Sequence, residues 1–351
     1  MWYTLLFLLL GLLTACSESL PTPTPVAPPT EGVFVLCQGN MYDGIAGSLD
    51  CLTPSDGYHR GVFAAANGGM PLGDTPVAAC RCGSRLYVAA YASGVVWALD
   101  AASCTSLGRV SVPSPEALAT DGKHVFVACN DGYVAMLDTA TLTVTQRVPV
   151  GPNPAGLVVV GDALYCSISD GYNYEGGYAD GFRVVRLHAS TLAPDGDFRV
   201  GMNPTALAAD AAGNVYCVAS GDYGATPPEV WCITPSGEVA RYCAGSIIAT
   251  APEVLYVIDA VTDWTTYTTT LSYRAYDTAT AQPLADFRID RVAQPVSPIA
   301  MTYDATRRRL YITSDAALYD YNSPGTLHVF SPQGAPIATY ETGTHPYAIV
   351  P

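Results

Sequence analysis

Tyr172, Asn173 and Tyr174 stand together near the middle of the chain, followed closely by Tyr178 and Asp180. Tyrosine offers a large rigid ring with a polar tip, and Asn and Asp add hydrogen-bonding groups. This mixture recognises a ligand through contact area and hydrogen bonds rather than through bond-making. It recurs in other turn-rich segments. Asn40, Tyr42 and Asp43 form one group, Asp222 and Tyr223 a second, and Asp263, Trp264 and Tyr267 a third. Asp315, Tyr319, Asp320, Tyr321 and Asn322 form a fourth, and Tyr91 and Tyr133 extend the set. Any single ring here could merely pack on a neighbouring loop. Taken together the residues read as a binding surface.

Bond-making chemistry has fewer candidates. The histidines are His59, His124, His188, His328 and His345, and no two are spaced as in H-x-x-x-H, the helical pattern that holds zinc. There is no G-x-S-x-G nucleophile elbow. Asp170, Glu175 and Asp180 supply oxygen ligands of the kind calcium takes, so a bound calcium is one expectation, although the spacing matches no EF-hand loop. No cofactor and no catalytic residue is expected.

A repeated β unit must position these side chains. An apolar residue followed by Tyr or Phe opens a β-branched run at Phe34, Tyr87, Phe126, Tyr165, Tyr216, Tyr256 and Tyr311. Successive copies lie 39 to 55 residues apart. A proline stands eleven residues earlier at Pro76, Pro115 and Pro154, with small slips at Pro204 and Pro298, and Ser246 takes its place once. A motif at this period is the mark of a β-propeller, one four-stranded sheet per repeat. In the clearest copy, Ala117 to Thr120, Val125 to Cys129, Val134 to Asp138 and Val144 to Val150 read as the four strands, divided by Asp-Gly and Asn-Asp-Gly turns. Helical periodicity is absent. His345-Pro346-Tyr347 copies Asn153-Pro154-Ala155, so the C-terminal segment supplies an innermost strand to a blade completed by residues 32 to about 70. The expectation is an all-β, seven-bladed propeller of four-stranded antiparallel blades, closed by pairing its two terminal segments and leaving no free edges.

That architecture places the binding set. Loops between second and third strands share a face with the loops entering each innermost strand. Five of the former are long: 38–47, 169–181, 220–228, 260–270 and 314–325. The residues before the register prolines, including Thr75, Asn153, Asn203 and His345, ring the axial channel on the same face. The predicted ligand-binding residues are therefore Asn40, Tyr42, Tyr91, Tyr133, Asn153, Tyr172, Tyr174, Tyr178, Asn203, Tyr223, Trp264, Tyr267, Tyr319, Tyr321 and His345.

The formal charge is −15 with a single lysine, Lys123, which excludes a nucleic-acid partner. Residues 1–15 are almost wholly apolar and end in Leu13-Thr14-Ala15-Cys16, the pattern of a lipoprotein signal, although no Lys or Arg precedes the run. They read as a removed signal, with Cys16 as the lipidated anchor. Residues 16–30 carry five prolines and read as an extended tether, and residues 31–351 as the propeller. The remaining ten cysteines lie mostly at equivalent strand positions and read as small buried apolar residues.

The segment Glu31-Gly32-Val33-Phe34-Val35-Leu36-Cys37-Gln38-Gly39-Asn40, followed by Gly47-Ser48-Leu49, Phe63, Ala66-Asn67 and Pro71-Leu72-Gly73-Asp74, resembles the start of YncE-like surface propeller lipoproteins of Bacteroidota. That family usually has Asn and Glu where this chain has Cys37 and Gln38. Its BtuG-type members capture cobalamin and related corrinoids on the cell surface and pass them to BtuB, a TonB-dependent outer-membrane transporter. The resemblance implies the same non-enzymatic role here, anchored to the outer membrane through the N-terminal lipid only. Rival readings are a surface propeller that binds a glycan or a protein, and an exported propeller lyase or hydrolase.

Overall fold

The computed structural model describes residues 32–351 except Trp264 and Tyr267. The proposed signal, Cys16, the tether and Glu31 lie outside the described residues. Seven antiparallel sheets follow one another around an axis, and six of them have four strands. The first blade joins Pro346–Val350 to Val33–Cys37, Ser48–Leu52 and Tyr58–His59. Its C-terminal strand pairs directly with the N-terminal one, Phe34 against Val350 and Val35 against Ile349. The third blade, Pro115–Thr120, His124–Cys129, Tyr133–Asp138 and Thr143–Pro149, matches the sequence reading to within two residues at each boundary.

The repeated aromatic explains why the sheets stack. All seven are buried, none more than 4% exposed. Each faces the following blade. Phe126 packs with Leu164 and Cys166 of the fourth blade, Tyr165 with Val215 and Cys217 of the fifth, and Tyr311 with Val33 and Val35 of the first. One apolar cluster fills each of the seven interfaces. Second strands are covered on both sides, so they read as unbroken apolar runs such as VYCVA, whereas the outer strand SLGRVS alternates between exposed and half-buried.

The register proline has a local effect. In six blades the innermost strand starts on it, and pairing then skips one or two residues, as between Pro115 and Ala117. Proline has no N–H for the ladder, so a bulge follows it. Where Ser246 replaces proline, its N–H donates to the Ile258 carbonyl at 2.8 Å and the next strand pairs without a bulge.

Three expectations need correction. A helix of five residues, Val62–Ala66, stands beside the first blade, whose outer strand is only Tyr58–His59. The sixth blade has three strands, and an isolated Tyr276–Pro283 bridge stands where the fourth would run. Segment 260–270 is largely not a loop, because the strands Val254–Asp263 and Thr268–Asp277 stay paired to their ends.

The ten described cysteines are free, with eight of them buried. The Asp residues closing third strands serve their turns: Asp138 Oδ1 accepts from the Ala140 and Thr141 N–H groups, and Asp100 Oδ1 from those of Ala102 and Ser103.

Candidate functional site

The loop face is built by one repeated hydrogen bond. The first residue after the second strand donates its N–H to the carbonyl of the residue before the register proline. Tyr91 does so to Thr75, Asn130 to Ser114, Ser169 to Asn153, Ser220 to Asn203, Asp315 to Ser297 and Gln38 to His345, at 2.8 to 3.1 Å. Thr75, Ser114, Asn153, Asn203 and His345 hold positive φ between 44° and 56°. Asp170, Tyr178, Tyr223 and Tyr319 on the same face do likewise, making nine of the fifteen such non-glycine residues described. Backbone strain is thus concentrated where loops meet the channel, and each such residue costs of order 1–3 kcal/mol.

Two cavities open here. One is a cleft of about 520 Å³ between loops of the first, second and seventh blades, lined by Gln38, Asn40, Met41, Tyr42, Thr75, Tyr91, Ala92, Tyr321 and His345. The other is the axial channel, also about 520 Å³, lined by the innermost strands of all seven blades and by Tyr223 and Tyr347. The hydroxyls of Tyr91 and Tyr172 lie 3.1 Å apart and link the loops of the second and fourth blades, past the short turn of the third. That hydrogen bond, with burial, pushes the Tyr172 hydroxyl up to about 12. Tyr42 is 92% exposed, Tyr172 68%, Tyr174 67% and Tyr223 62%, so four rings are largely open to solvent. Tyr319 and Tyr321 are about half exposed.

His345 is held from behind. Its Nδ1 lies 3.0 Å from both carboxylate oxygens of Asp315. Tyr321 meets the ring edge-on at 5.3 Å, and Tyr347 packs at 5.7 Å. A histidine–carboxylate pair can also serve a nucleophile. No Ser, Thr or Cys side chain bonds to His345 among the described residues.

Other predicted residues have different duties. Tyr178 is 4% exposed and Asn203 2%, so neither presents a side chain. Asn203 donates to the Gly221 carbonyl instead. Asn40 donates to Asp43 and to Asn322 while its oxygen accepts the Tyr42 N–H, which ties the first blade's loop to the seventh's. Asn153 donates to Asn130 and accepts the Tyr172 N–H, which holds the backbone at Tyr172. Tyr133 carries the Arg147 guanidinium on its face at 3.8 Å. Trp264 and Tyr267 lie outside the described residues. The calcium expectation fails: Asp170 Oδ2 is taken by Asn173 and by the Asp180 N–H, and no three acidic, His or Cys groups converge among the described residues. Gln38, Met41 and Ala92 were missed as cleft residues. For Met41 and Ala92 the available signal was adjacency to Tyr42 and Tyr91, and for Gln38 its place at the start of the 38–47 loop.

No family model matches the chain, and no curated protein matches it. Solved structures match its fold. A quinonprotein alcohol dehydrogenase-like protein from Bacteroides thetaiotaomicron is similar over 91% of this chain and 78% of its own, with a TM-score of 0.62 and 15% identity. Hydrazine synthase from Kuenenia stuttgartiensis matches over 73% and 76%, with a TM-score of 0.58 and 16% identity. The WD40 domain of Neurospora crassa Pan2 matches over 78% and 80%, at 0.55 and 8%. At such identities the likeness shows the propeller fold alone.

Proposed function

We propose that the chain is a non-enzymatic binding protein of the outer-membrane surface that captures corrinoids on its loop face and passes them to a TonB-dependent transporter. The carrying observation is the set of exposed tyrosines on the loop face, with Tyr42 lining the cleft, Tyr223 lining the channel, and Tyr172 and Tyr174 on the fourth blade's loop. A corrinoid is a broad disc fringed with amides. Rigid rings with hydroxyl tips offer it contact area at low entropic cost, and the tips meet the fringe. The resemblance of residues 31–74 to YncE-like surface lipoproteins, whose BtuG-type members take corrinoids, supports the ligand class, and the Leu13-Thr14-Ala15-Cys16 pattern supports lipid anchoring.

Titration calorimetry tests this with cyanocobalamin, cobinamide and a neutral oligosaccharide. Tight one-to-one binding of the corrinoids is expected, without heat from the sugar. A folded protein that ignores both corrinoids at micromolar concentration refutes the reading, and sugar binding transfers it to a glycan.

A further inference from the structure

The Asp315–His345 pair fixes which way a hydrogen bond can run in the cleft. An ionised carboxylate only accepts, so Nδ1 must carry the proton and donate it. Asp315 is 1% exposed, so solvent offers it little alternative. With Nδ1 donating to Asp315, the tautomer with an uncharged ring has its lone pair on Nε2. Nε2 makes no hydrogen bond among the described residues, while the ring lines the cleft wall with 12% of its side chain exposed. The hydroxyls of Thr75, Tyr91 and Tyr321 in the same cleft can each donate or accept. His345 alone among these four imposes a direction.

Resting on the corrinoid reading of this cleft, we propose that His345 is a specificity-determining residue whose Nε2 accepts a hydrogen bond from a peripheral amide N–H of the ligand. It thereby selects amidated corrinoids over those bearing carboxylates. An ionised carboxylate has no proton to give and sets its lone pairs against that of Nε2. The acidic charge of the protein adds a long-range repulsion. Salt screens that repulsion but leaves the lone-pair conflict at contact distance.

The test uses calorimetry on the purified full-length protein in high salt, with cobinamide and with cobyrinic acid, its carboxylate counterpart. The wild type is expected to prefer cobinamide by tenfold or more. His345→Phe keeps a ring and removes the acceptor. Asp315→Asn frees the tautomer, so that Nε2 can also donate. Both variants are expected to lower the preference about fivefold, the worth of one ordinary hydrogen bond. Thermal melting identifies which variants are folded, and Asp315→Asn stands if His345→Phe does not. A preference unchanged in the folded variants overturns the proposal, as does equal affinity of the wild type for the two ligands. If the folded wild type binds neither, the corrinoid reading itself fails and takes this inference with it.

Discussion

Glu116 is the one acidic side chain on the described wall of the axial channel, among Ala, Leu and Ile from neighbouring blades. Burial pushes its carboxyl above the usual range, against the opposing pull of the Asn130 amide. A carboxyl raised by folding favours the protonated form in the folded state. Its contribution is fully present below the unfolded pKa and is lost as pH rises through the folded one. Glu116→Gln should therefore melt with the wild type near pH 4 and above it at pH 7. Differential scanning calorimetry at both values checks this, and a variant less stable at pH 7 would contradict it. The residue scale is also where sequence reading failed most often. Tyr174 and Tyr178 lie in one loop, yet one is exposed and the other buried. The difference lies in a left-handed backbone at Tyr178 and in neighbours that local composition does not name. Asn40 was legible as a polar rim residue, but its partner Asn322 lies 282 residues away.

The blade was far more legible, because its determinants are local and repeat. The Phe126 ring faces the next blade in the same way as Tyr87 and Tyr165, and its strand is buried from Val125 to Cys129. Deleting such a ring leaves a cavity between two sheets that cannot collapse independently. Phe126→Ala should cost roughly 3–5 kcal/mol, seen as a lower midpoint in guanidinium unfolding. A loss below about 1 kcal/mol would show that the interface repacks freely and that the ring is not its keystone. The register proline was visible, whereas the bulge behind it was not, since a bulge shows itself only against a partner strand. The short outer strand at Tyr58–His59 and the missing one in the sixth blade escaped notice for a related reason. Outer strands bury least, so their apolar signal is weakest.

At the scale of the whole molecule, closure decides geometry. Val33 and Cys37 are opposite ends of one strand, with Cys37 next to the cleft residue Gln38. Arg81 Nη2 donates to the Gly32 carbonyl and its Nε to that of Pro351, fastening both ends of the described chain together on the face away from the cleft. If the loop-face tyrosines hold the ligand, the most direct measurement is calorimetry of cyanocobalamin against the wild type and a Tyr42→Ala, Tyr172→Ala, Tyr223→Ala triple variant. The expected result is affinity weakened at least about a hundredfold, as loss of central aromatic anchors does, with the melting transition retained. Undiminished affinity in the folded variant would contradict the account.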